Sequence, residues 1–141
     1  MKNNIMTQEQ INLLLKDISA RLPYGVKAST KLGNNIIVSF IGEDTIIGED
    51  GDSYDISFIT PYLFPLSSMT EEQYNEMEKI VLEDYLENIQ ITKEMREKVD
   101  FITQFPIYYS NLIDWFNRNH FDYRGLIEMG LAIDATNLNI Y

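Results

Sequence analysis

With 141 residues, 45% apolar and 23% charged, the chain has the length and composition of one globular domain that can bury a core without a disulfide or metal staple. It has no cysteine, which excludes disulfides, thiolate metal sites and cysteine nucleophiles and suits a reducing compartment. Its net charge of −11 repels phosphate backbones at long range, so nucleic acid is not an expected partner.

Gln8-Glu9-Gln10 interrupts the N-terminus before any secretory apolar stretch develops. No apolar run approaches the ~20 residues of a membrane-spanning helix, so a cytoplasmic protein with no membrane partner is expected.

The first predicted element is a helix over about Gln8–Leu22, with Ile11, Leu14, Leu15, Ile18 and Leu22 recurring on one face. Thr7 and Gln10 have capping-box spacing, Met6 and Ile11 the spacing of a hydrophobic staple, and Pro23-Tyr24-Gly25 supplies the stop. Four short strands follow as an antiparallel meander: Val26–Leu32, Asn35–Ile41, Thr45–Gly48 and Ser53–Ile59. Gly33-Asn34 and Asp50-Gly51 mark two of the turns. Such a small sheet, with room to curl toward a barrel, needs helices over one face.

Pro61 and Pro65 are expected to end the sheet, because each lacks a backbone donor, and to start an apolar connector packed along a single domain spanning 1–141. A second helix begins after Thr70, where Gln73 completes another capping box and Met69 and Tyr74 another staple. Its buried stripe is Tyr74, Met77, Ile80, Val81 and Tyr85. Three further helices are predicted: Thr92–Thr103, one from Pro106 to about Asn119 carrying Leu112, Trp115 and Phe116, and a short one over Tyr123–Met129 capped by Asp122. Leu131–Tyr141 reads as irregular. The architecture is therefore α+β, with three to four C-terminal helices packed on the sheet.

Candidate chemistry is sparse. His120 is the only histidine, so a two-histidine metal site cannot form within one chain. The one catalytic arrangement within reach is a small hydrolase or metal-assisted enzyme using His120 with Asp122. The acidic stretch Glu43-Asp44, Glu49-Asp50-Gly51-Asp52 and Asp55 lacks calcium-loop spacing, since the sixth residue from Asp50 is Asp55 rather than glycine. No phosphate-cradling glycine motif is present, and no metal or cofactor is expected.

Aromatic density is the strongest departure from background: eight of 17 aromatics lie between Phe101 and Tyr123. Most belong to a core, whereas Tyr108, Tyr109, Arg118, His120, Tyr123 and Arg124 are read as a binding surface for another protein, because aromatics and arginine dominate interface hot spots. The glutamate-rich face from Glu71 to Glu87 offers a second, acidic surface able to occupy a basic groove. Binding of nucleic acid through Lys27, Lys31, Arg118 and Arg124 is the weakest reading.

Three stretches, Ala20-Arg21-Leu22-Pro23-Tyr24-Gly25-Val26, Pro61-Tyr62-Leu63-Phe64-Pro65-Leu66-Ser67-Ser68-Met69-Thr70 and Asn119-His120-Phe121-Asp122-Tyr123-Arg124-Gly125-Leu126-Ile127-Glu128, resemble a family of small uncharacterised proteins from gut Bacteroidales bacteria and their phages or mobile elements. The resemblance spans nearly the whole chain and implies a stand-alone cytoplasmic protein of a mobile element. It brings no activity, cofactor or catalytic residue. Together these readings predict a non-enzymatic protein-interaction module, with the His120–Asp122 enzyme as the alternative.

Overall fold

The computed structural model describes residues 5–84 and 110–141. The predicted helix at Thr92–Thr103, the Pro106 helix start, Tyr85, Glu87, Tyr108 and Tyr109 lie outside the described residues. The chain folds as two compact units, one of Met1–Leu63 with Leu126–Tyr141 and the other of Phe64–Gly125.

In the first unit, helix α1 (Gln8–Arg21) starts as its sequence requires. Gln10 N–H donates to Thr7 Oγ1 at 3.1 Å and Thr7 N–H to Gln10 Oε1 at 3.0 Å, satisfying two backbone donors that a helix start leaves open. Its buried face is Leu14, Asp17, Ile18 and Arg21. Two of these four are charged, and they neutralise each other one helical turn apart: Arg21 Nε donates to Asp17 Oδ2 at 2.9 Å and Arg21 Nη2 to Asp17 Oδ1 at 3.1 Å.

The helix covers a sheet of six strands: β1 (Val26–Thr30), β2 (Asn35–Ile41), β3 (Thr45–Gly48), β4 (Ser53–Asp55), β5 (Ile59–Leu63) and β6 (Ile133–Asp134). Their order is β4-β3-β2-β1-β5-β6, antiparallel except for the β5–β6 pair. Val26, Ala28, Ile36, Val38, Ile46, Ile59 and Leu63 face the core with Leu14 and Ile18. Their alternation is what a half-buried sheet demands.

Four expectations about this unit need correction. The sheet has six strands rather than four and stays open between β4 and β6, so it is no barrel. The strand expected at Ser53–Ile59 stops at Asp55, because Asp55 Oδ1 accepts from Ser57 N–H at 2.9 Å and from Ser57 Oγ at 2.6 Å, turning the backbone into a 3-10 turn at Ile56–Phe58. Pro61 lies inside β5 instead of ending the sheet. The hairpin bonds Thr30 N–H to Asn34 C=O and Gly33 N–H to Thr30 C=O aim the polar groups of Thr30, and hence of Ala28, toward β2. Ala28 and Pro61 therefore face each other without ladder bonds, where a missing donor costs nothing. The tail is not wholly irregular, since Ile133–Asp134 pairs with Tyr62 and Leu63.

The same alternation aims Lys27 at β5, opposite Tyr62, and there the Lys27 N–H and the Tyr62 C=O are joined through a third group. The Tyr141 hydroxyl sits between the strands, accepting from Lys27 N–H at 3.2 Å and donating to Tyr62 C=O at 3.0 Å. Lys27 Nζ donates to Ile140 C=O at 2.7 Å and lies 5.4 Å from the Tyr141 ring centroid.

In the second unit, helix α2 (Glu71–Asp84) repeats the capping solution, Gln73 N–H donating to Thr70 Oγ1 at 3.1 Å and Thr70 N–H to Gln73 Oε1 at 2.9 Å. It packs on helix α3 (Ser110–Arg118), with Tyr74, Met77, Val81, Leu112, Trp115 and Phe116 buried together. The helix expected over Tyr123–Met129 is instead a series of turns. Phe121 is fixed by a bridge to Phe64, and Gly125 takes φ +75°, a left-handed step that no helix continues through.

Removing one member of the buried ion pair strands the other. Asp17→Asn should lower the unfolding free energy by about 3–5 kcal/mol, whereas Asp17→Leu with Arg21→Met should recover most of it. Urea unfolding followed by circular dichroism reads both.

Burial raises the Tyr141 hydroxyl above its ordinary value of 10.0. A folded-state value above the unfolded one gives stability that is complete below pH 10 and lost as pH climbs through the folded value. Tyr141→Phe should cost about 1 kcal/mol per hydrogen bond at neutral pH. The gap between wild type and variant should then close in alkali; a pH-independent gap would contradict the inserted hydroxyl.

Candidate functional site

The candidate residues near the end of the chain divide between surface and interior. Tyr123 is 1% exposed; its ring stacks on Phe116 with centroids 5.6 Å apart, and its hydroxyl donates to Asn117 Oδ1 at 2.9 Å. Trp115 stacks on Phe121 at 5.5 Å. His120 is buried with φ +63°, and its carbonyl accepts from Phe64 N–H at 2.8 Å. Asp122 is also buried, its N–H donating to Phe64 C=O at 2.8 Å. The structure thus sets His120 and Asp122 on either side of Phe121, along a bridge to Phe64. Arg124 is half-buried with its guanidinium carbon 4.5 Å from the Tyr123 ring centroid, while Arg118 is exposed. On the acidic face, Glu71, Glu72 and Glu76 are exposed.

The acidic hairpin is occupied with its own turn: Asp50 Oδ1 accepts from Asp52 N–H at 3.0 Å and Asp50 Oδ2 from the Tyr54 hydroxyl at 2.8 Å. Among the described residues, no group of three or more histidine, aspartate or glutamate side chains is arranged to hold a metal.

The first unit carries an open cleft of about 830 Å³ that the sequence pattern did not signal. It lies where β1 ends and β5 begins. Ser29, Thr30 and Lys31 come from β1 and its turn, and Asp55, Ser57, Phe58 and Thr60 from the approach to β5. Met6 and Ile11 form an apolar wall with Ala132 and Ile133 beside β6. The local causes are those already met. The Asp55–Ser57 turn throws Phe58 outward, the β1–β2 hairpin ends β1 at Thr30, and Met6 is buried in the core cluster.

Electrostatically the cleft is mixed. Lys31 Nζ sits 4.5 Å above the Phe58 ring centroid, a cation–π contact. The Ser57 hydroxyl and then its backbone N–H hold the Asp55 carboxyl below the usual carboxylate range, so Asp55 is an anion at neutral pH. A general acid would need the opposite shift, toward neutrality. The cleft therefore offers hydroxyls, one ammonium, one carboxylate and apolar walls.

Exposed apolar side chains gather at this place. Of eight large ones exposed among the described residues, Ile5 (97% exposed) and Phe58 line the cleft, while Leu32 and Met129 directly adjoin lining residues in sequence. The available signal was Leu32, an apolar side chain at a hairpin tip where polar residues are usual. Comparisons with family models, with curated proteins and with solved structures find no match.

Thr30 is 8% exposed, and its Oγ1 has no hydrogen-bond partner among the described residues. A buried polar atom left without a partner costs about 1–3 kcal/mol. Thr30→Val, which keeps the shape and drops the hydroxyl, should therefore raise the urea midpoint. A drop beyond what a Val-for-Thr misfit causes would show that the hydroxyl is bonded after all.

Proposed function

We propose that this chain is a non-catalytic protein-interaction module, and that the cleft at the start of β5 is where its partner docks. The observation that carries the reading is the exposure of Ile5 and Phe58 in the lining of one concavity, with exposed Leu32 and Met129 next to lining residues in the chain. Exposed apolar side chains scattered singly need no explanation, whereas a group around a cleft marks an interaction site. An open concavity favours a segment of another protein over a small molecule, which ordinarily needs most of its surface enclosed. The downward shift of Asp55 and the burial of His120 in the other unit leave binding as the chemistry that the cleft is equipped for. No described helix is long and apolar enough to cross a membrane. The family resemblance around Pro23, Pro65 and His120 supports placing this module among the stand-alone proteins of a mobile element.

A photo-crosslinking residue at position 58 or 32, compared with one at the exposed position 16 of α1, tests the docking site in cells of the native host. One partner band from positions 58 and 32, absent from position 16 and lost on Met129→Ser with Ile5→Ser, is the expected result. Equal labelling from all three positions would overturn the reading.

A further inference from the structure

Resting on that reading, we propose that the segment received by the cleft is basic: one or two apolar anchors flanked by lysine or arginine. The apolar requirement comes from the walls, Met6, Ile11, Phe58 and Ile133. The charge requirement comes from one carboxylate in the lining and three exposed ones close to lining residues in the chain. Asp55 lines the cleft, Glu9 is exposed on the first turn of α1, and Glu128 and Asp134 are exposed on either side of the Gly130–Ile133 wall.

The lining itself also supplies one ammonium, Lys31, and it is drawn over the Phe58 ring. The whole chain, at −11, adds a field of the same sign, which speeds the encounter with a cation and opposes an anion. Complementary charge at a rim selects the partner and its approach, while apolar anchors supply the residence time. An acidic or neutral segment of equal apolarity would meet the same walls without the attraction, and an acidic one would be opposed by the field of the chain.

Two fluorescein-labelled eight-residue peptides separate these requirements: one alternating leucine with lysine, the other alternating leucine with glutamate. Fluorescence anisotropy against the full chain should show saturable binding of the lysine peptide that weakens as salt is raised, and none of the glutamate peptide. Phe58→Ser with Leu32→Ser should weaken the lysine peptide at least tenfold. Glu9→Lys with Glu128→Lys should weaken it comparably and should admit the glutamate peptide, a gain that mere unfolding cannot produce.

Equal binding of both peptides, lost in the Phe58 and Leu32 variant, would overturn the basic partner while leaving the docking cleft standing. Binding of neither would overturn the proposal. So would lysine-peptide binding that ignores the Phe58 and Leu32 substitutions, since the peptide would then be resting on the acidic surface elsewhere.

Discussion

The pairing of β1 with β5 is the constraint on which the first unit rests. β5 is reached from β4 only through the tight Asp55–Ser57 turn, and β6 hangs from the far end of β5. A strand placed there must match the alternation of β1, and it does so with a proline at a position that makes no ladder bond. One position on, a side chain joins the two strands, the Tyr141 hydroxyl serving Lys27 and Tyr62 together. The cleft is a by-product of the same arrangement, since it opens where β1 turns away and β5 has just begun.

Much of the fold was legible because it is written in local chemistry. Both capping boxes, the starts of β1 to β4, Leu14 and Ile18 in the buried face of α1 and Tyr74, Met77 and Val81 in that of α2 follow from local spacing, whereas the burial of Asp17 and Arg21 does not. What escaped depends on distant partners or on a competing local bond. β6 is two residues long and exists only because Tyr62 and Leu63 lie beside it. Pro61 reads as a breaker until the direction of its neighbour's polar groups is known. The Asp55-x-Ser57 turn was visible in principle, but its β-branched surroundings pointed to one continuous strand.

The site was less legible than the fold for a related reason. Aromatic side chains serve cores and interfaces alike, and sequence does not say which. Trp115, Phe116, Phe121 and Tyr123 are stacked and buried on one another in the second unit, with the Tyr123 hydroxyl given to Asn117. The apolar groups left exposed in the lining of a concavity, Ile5 and Phe58, are ordinary residues far apart in the chain. Their proximity is a product of topology.

The inserted hydroxyl also changes what solvent exchange at one amide would report. In an ordinary ladder, deuterium reaches a strand N–H when the strands part. The Lys27 N–H is held by a side chain 114 positions away, so it becomes reachable as soon as the chain's final residues lift off, with every strand still in place. A slow amide beside it in β1 and a fast one at Lys27 would be the signature of a seam fastened from outside the sheet.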